Sequence, residues 1–152
     1  MTTAWSEARA SEIIEGLRRL EGPLLPIYHA LQAEFGWISD EAVALTAERL
    51  NITRAEAHGA LTFYHDFRRA PAGRRVVKVC RAESCQACGG EAAAAALLAA
   101  LGIGWGETTA DGAVTVEPVY CLGLCAVSPA ALVDGAPLGR LDGTKLTAAA
   151  RA

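Results

Sequence analysis

The chain has 152 residues, 14 basic and 17 acidic side chains, a formal net charge of -3, and 52% hydrophobic residues, with 32 alanines among its total. That balance excludes a disordered chain. It also excludes a non-specific nucleic-acid binder, which needs a basic excess to neutralise phosphates. No run of 18 apolar residues is present, so no membrane-spanning helix and no membrane insertion is expected. The opening Met1 to Ala10 lacks a charged start followed by an apolar stretch, so no secretory signal is expected and the location is read as cytoplasmic.

The first half reads as four helices. Ser6 is placed to cap a helix with an apolar face of Ala10, Ile13, Ile14, Leu17 and Leu20, stopped by Gly22-Pro23. Pro26 suits the first turn of a second helix, with Ile27, Ala30, Leu31 and Glu34 at helical spacing until Gly36. Ser39, followed by Asp40 and Glu41, starts a third that carries Val43, Leu45 and Leu50. Thr53 and Glu56 spell a capping box and open a fourth, which runs into Leu61-Thr62-Phe63-Tyr64.

Ala70-Pro71-Ala72-Gly73 reads as a linker. It divides a helical domain, 1–72, from a second domain, 73–152. All five cysteines lie beyond it, and all three Phe and all three His lie before it.

The second half alternates. Arg75 to Val79 is a strand that ends at Cys80. Residues 91–101 form a helix stopped by Gly102. Ala113 to Glu117 alternates as a strand, ended by Pro118. Ala130 to Val133 is a short strand, Asp134-Gly135 a turn, and Leu138 onward its return arm. Lys145 to Arg151 is a terminal helix. This order implies a mixed α/β domain.

Five cysteines, an odd count, clustered and without a signal peptide, fit a metal or redox site better than a disulfide framework. Cys80 and Cys85 are spaced C-x4-C, and Cys121 and Cys125 are spaced C-x3-C. Each pair lies where a strand gives way to a loop, so the two could face one another. Thiolates are soft ligands that suit iron–sulfur or zinc over magnesium or calcium. Four thiolates around two irons and two sulfides make a [2Fe–2S] centre. Cys80, Cys85 and Cys88 also spell C-x4-C-x2-C, so that run plus Cys121 or Cys125 is an equally good ligand set on spacing alone.

Other chemistries remain open at this point. A structural zinc site would use the same four thiolates. Cys85-Gln86-Ala87-Cys88 beside a helix start would suit thiol–disulfide exchange. Gly89-Gly90 and Gly123 read either as turn residues or as points where N–H groups approach cluster sulfurs. Arg81 reads as a solvated surface side chain, with a tuning charge as the sharper reading. His29, His58 and His65 lie far from either cysteine pair and read as surface or packing residues. Phe63, Tyr64 and Phe67 read as core.

A family resemblance runs through these motifs. Leu24-Leu25-Pro26, Phe35-Gly36-Trp37-Ile38, Thr62-Phe63-Tyr64-His65, Cys80-x4-Cys85 and Tyr120-Cys121-Leu122-Gly123-Leu124-Cys125 resemble the thioredoxin-like [2Fe–2S] subunit of respiratory complex I and its relatives. The resemblance extends from about Ser11 to the end. It implies an N-terminal helical bundle followed by a thioredoxin-like [2Fe–2S] ferredoxin domain. It implies one [2Fe–2S] cluster on Cys80, Cys85, Cys121 and Cys125, with Cys88 outside the family pattern. Cys80 to Gln86 and Cys125 to Ala130 are most similar to one branch, the gamma subunit of soluble, molybdenum-containing, NAD-dependent formate dehydrogenases. The implied function is electron transfer without catalytic turnover by this chain alone. The implied partners are a flavoprotein subunit binding FMN and NAD, and a larger molybdenum- and iron–sulfur-containing formate dehydrogenase subunit. The equivalent subunits of complex I and of NAD-linked hydrogenase diaphorases are the other branches.

Overall fold

The structure, a computed structural model, describes residues 4–152. The chain forms two compact units, Met1–Pro71 and Ala72–Ala152. The first holds four helices, α1 (Glu7–Leu17), α2 (Leu24–Phe35), α3 (Asp40–Leu50) and α4 (Arg54–Phe63).

Their ends follow local chemistry. Ser6, Ser39 and Thr53 each accept a backbone N–H in the following turn, from Arg9, Ala42 and Glu56. At Thr53 the box is complete, because the Glu56 carboxylate returns to the Thr53 N–H at 2.8 Å. Gly36 closes α2 in the left-handed region at φ 83°, a conformation that costs glycine nothing. The first helix is shorter than its apolar pattern. It ends at Leu17, and Leu20 stands exposed outside it. The glycine-proline stop comes only after the chain has already turned.

The four helices bury Ile14, Ile27, Tyr28, Leu31, Phe35, Ala57 and Leu61 in one core. Each such large side chain contributes about 1.5–3 kcal/mol on leaving water. The Tyr28 hydroxyl donates to the Ala57 carbonyl at 2.9 Å, so the buried phenol also ties α2 to α4. Gln32 pins the segment after α4. Its amide donates to the Asp66 carbonyl at 2.8 Å and accepts from the Arg68 N–H at 2.6 Å.

The three aromatic residues at the end of α4 separate. Phe67 is buried against Tyr28, but Phe63 is 72% exposed and Tyr64 is 43% exposed. The expectation that all three are core is therefore corrected. The helix ends at Phe63, and an extended residue at Tyr64 breaks the helical face. His29, His58 and His65 are all exposed, with His29 against the Phe67 ring.

The second unit is built on β1 (Arg75–Cys80), α5 (Glu83–Ala87), α6 (Gly90–Leu101), β2 (Val114–Val119), β3 (Ala131–Val133), β4 (Ala136–Leu138) and α7 (Gly143–Arg151). A short 3-10 turn, Cys125–Val127, precedes β3. The sheet order is β2-β1-β3-β4, with β1 parallel to β2 and antiparallel to β3. Val77 and Val79 of β1 join Val114 and Val116 of β2 in a core with Leu97 of α6 and Leu146 of α7. The opposite sheet face carries the paired Lys78 and Glu117. Alternation along β1 and β2 thus sets one face against the helices.

Pro118 does not end β2. The strand continues to Val119, with Pro118 opposite Val79. β2 is an edge strand. Its outward-facing positions bond the preceding loop instead, as Val116 does with Gly106 and Glu107. Pro118 lies on this outward side, so its missing N–H removes no bond to β1. The Asp134-Gly135 turn does form the expected hairpin between β3 and β4, with φ 49° and 83° at its two corners.

Candidate metal centre

Cys80 ends β1, and its N–H bonds the Ala130 carbonyl. Cys85 lies in α5, a five-residue helix too short to leave an apolar period in the sequence. These two thiols are buried, at 5% and 2% exposed, and form a small cluster with Ala130, Val119, Leu122 and Leu124. Cys121 and Cys125 are exposed on the loop that follows β2, and Cys88 is exposed at the end of α5.

The two cysteine loops meet. Leu122 and Leu124, from the loop that carries Cys121, pack against the buried Cys80 and Cys85, so that loop reaches the end of β1. Burial pushes the Cys80 thiol up, the backbone of Ala82 and Leu122 opposes the rise, and the Cys85 thiol adds to it. Burial would raise Cys85 too. Here the Ser128 hydroxyl, the Cys80 thiol and the Ala130 N–H prevail and hold it below the ordinary thiol range. The Ser128 oxygen lies 3.6 Å from the Cys85 sulfur and 2.9 Å from the Ser84 oxygen. In the other loop the Gly123 N–H donates to the Cys121 sulfur at 3.3 Å.

The surrounding backbone is specialised. Cys121 has φ 143°, a region that costs a non-glycine residue on the order of 1–3 kcal/mol and gathers at functional positions. Gly123, at φ 71°, lets the loop turn so that its N–H faces the preceding sulfur. At Gly90 a Cβ would lie 2.6 Å from the Cys85 carbonyl oxygen, so this glycine lets the start of α6 approach the backbone of α5 closely.

Arg81 is not a freely solvated side chain. Its guanidinium makes two contacts with the Glu91 carboxylate, at 2.9 and 3.2 Å, and stands 4.9 Å over the Trp105 ring. Its charge is therefore largely answered locally. Among the described residues, no three His, Cys, Asp or Glu side chains are gathered to chelate a single ion. A binuclear centre instead asks for two thiolate pairs, one per iron.

The model of the thioredoxin-like [2Fe–2S] ferredoxin family matches residues 10–152. The chain belongs to that family. It is 37% identical over 132 residues to an NADH-quinone oxidoreductase subunit of Pseudomonas aeruginosa, covering 85% of this chain and 80% of that one. It is 30% identical over 122 residues to the NADP-reducing hydrogenase subunit HndA of Solidesulfovibrio fructosivorans, covering 80% and 71%. The corresponding NADH-quinone oxidoreductase subunit of Mycobacterium tuberculosis is 34% identical over 128 residues, but the chain spans only 51% of its length. Among solved structures, an NAD+-reducing [NiFe]-hydrogenase in the air-oxidized state superposes with a TM-score of 0.72 and 28% identity. That match covers 84% of this chain and 22% of the hydrogenase chain.

The family's cofactor is a [2Fe–2S] cluster, and the residues here fit one. The buried sulfur donors Cys80 and Cys85 lie against the loop that carries Cys121 and Cys125, the Gly123 N–H donates to the Cys121 sulfur, and the Ser128 hydroxyl lies against the Cys85 sulfur. Thiolate negative charge is what such donors stabilise. Ser84, Leu122 and Ser128 stand inside the motif stretches quoted above, but nothing in the sequence gives them a role. No spacing rule marks Leu122 or Ser128, because they reach Cys80 and Cys85 only through the meeting of the two loops. Among the described residues, no helix is long and apolar enough to cross a membrane.

Proposed function

We propose that this ferredoxin module is a one-electron carrier whose cluster is held by Cys80, Cys85, Cys121 and Cys125, with Cys88 left free. The observation that supports this set is the packing of Leu122 and Leu124, which stand between Cys121 and Cys125, against the buried Cys80 and Cys85. The bound cluster supplies reversible one-electron storage on iron. The chain supplies four thiolates, the burial of Cys80 and Cys85, and the contacts of the Gly123 N–H and the Ser128 hydroxyl with sulfur.

The module works in the cytoplasm, docked on a flavoprotein that binds FMN and NAD, and passes electrons within an oxidoreductase complex. The residues of Cys80 to Gln86 and Cys125 to Ala130 favour a soluble NAD-dependent formate dehydrogenase as the parent, with a molybdenum-containing large subunit as the second partner. The named relatives favour the second reading, a subunit of an NADH-quinone oxidoreductase or an NAD(P)-linked hydrogenase. Co-purification of the native complex, with assay of formate, hydrogen and NADH oxidation, separates these parents.

The ligand set is tested on anaerobically purified protein, by visible and EPR spectra with iron and acid-labile sulfide counted on the same sample. Two irons, two sulfides and a signal that appears on one-electron reduction are expected. Cys88→Ser should keep that spectrum, and Cys121→Ser or Cys125→Ser should abolish or markedly alter it. Loss of the cluster in Cys88→Ser, with one of the later pair dispensable, would establish the C-x4-C-x2-C set instead.

A further inference from the structure

We propose that Ser128 and Ser84 form a hydroxyl relay that donates to the Cys85 sulfur and raises the reduction potential of the cluster. The inference rests on the ligand assignment made above. It concerns these serines, to which the spacing of the cysteines gives no role.

The geometry supplies the chain. Ser128 Oγ lies 3.6 Å from Cys85 Sγ and 2.9 Å from Ser84 Oγ. Both serines are half-buried. A hydroxyl has one proton to give and two lone pairs to receive. With Cys85 as a free thiol, either atom of each pair can donate. A sulfur bonded to iron carries no proton and can only accept. Ser128 must then turn its O–H to the sulfur. Its lone pairs are left for Ser84, which must donate to Ser128. Iron binding therefore converts an undirected contact into a directed one, Ser84 to Ser128 to Cys85.

The electrostatic consequence has one sign. Reduction adds a negative charge that spreads over iron and sulfur. A hydrogen bond to a ligand sulfur strengthens as that charge grows, so it favours the reduced form. A second donor in series polarises the first and strengthens it. The effect of Ser84 must pass through Ser128, since the sulfur contact belongs to Ser128. The two serines come from distant segments, Ser84 from α5 and Ser128 from the turn before β3. The relay thus forms only when both cysteine loops are in place. Arg81 does not substitute for it, because its guanidinium is held by Glu91.

The test is an EPR-monitored dithionite titration of the full chain carrying its [2Fe–2S] cluster, wild type against Ser128→Ala, Ser84→Ala, the double variant and Ser128→Thr. Ser128→Ala should shift the electron-uptake equilibrium about tenfold toward the oxidised form, a fall of about 59 mV for one electron. Ser84→Ala should shift it the same way by less. The double variant should match Ser128→Ala, since the outer hydroxyl has lost its route. Ser128→Thr, which keeps a hydroxyl, should restore most of the potential. An unchanged potential in fully loaded Ser128→Ala overturns the relay. So does a Ser84→Ala shift that persists at full size without the Ser128 hydroxyl. If Ser128→Ala holds no iron, Ser84→Ala decides alone, and an unshifted potential there overturns the proposal. A wild-type chain that binds no iron defeats the underlying ligand assignment and not the relay.

Discussion

Replacing Gly90 with alanine should weaken the second unit and disturb Cys85, although alanine is the better helix former. The added Cβ would lie 2.6 Å from the Cys85 carbonyl oxygen and 3.0 Å from its carbonyl carbon. Both are backbone atoms, so no side chain can rotate away. Either the start of α6 or the end of α5 must shift. Forced overpacking of this kind costs about 1–3 kcal/mol. Against it stands a helix-propensity gain of at most about 1 kcal/mol, reduced here because Gly90 is the first residue of α6. The net expectation is a loss of roughly 1–2 kcal/mol. Gly59, in α4, is the matched control, with nothing within 4 Å of its would-be Cβ. Gly59→Ala should therefore stabilise the first unit by up to about 1 kcal/mol. Calorimetry of both full-length variants, with iron counted on the same samples, reads the contrast. Gly90→Ala should lower its transition and the cluster content together. A Gly90→Ala protein as stable as wild type, with full iron, would refute the close-approach argument.

Two further outcomes follow from the first unit. Burial pushes the Tyr28 phenol up to about 12, against about 10 in an unfolded chain. Its raised value means that the neutral phenol's contribution to stability is complete below about pH 10 and lost as the pH rises towards about 12. Denaturation curves of wild type and Tyr28→Phe should therefore converge across that window, and parallel curves would refute the assignment. Thr53→Ala removes the hydroxyl that accepts the Glu56 N–H at 3.1 Å and donates to the Glu56 carboxylate at 2.7 Å. It should cost about 1 kcal/mol in thermal unfolding, and Thr53→Ser should recover most of it.

Much of the architecture was legible in the chain because its signals are local. Ser39 and Thr53 announce helix starts through their own side chains, and both caps form. Val76, Val77 and Val79 announce a strand through their branching, and β1 spans them. Asp134-Gly135 announces a turn that only small or adaptable residues enter readily, and the hairpin is there. The misreadings have equally physical causes. Leu20 satisfies the helical period but lies beyond the end of α1, since periodicity does not report where the backbone turns. Pro118 stays in a strand because β2 is an edge, and an edge is defined only by which strands pair. Phe63 is apolar yet exposed, because the chain leaves its helical course at Tyr64.

The chemistry divides along the same line. The residue types and spacings determined that soft thiolate donors stand in clustered pairs, since ligand type is a property of the side chain itself. Only the tertiary structure decided that Cys80 and Cys85 are buried while Cys121, Cys125 and Cys88 are exposed. It also decided that Leu122 and Ser128, some 40 residues further along the chain, lie against Cys80 and Cys85. Burial and hydrogen bonding depend on which segments the sheet brings to one end. Here parallel pairing of β1 with β2, and antiparallel pairing of β1 with β3, set the end of one strand beside the loop that joins the other two.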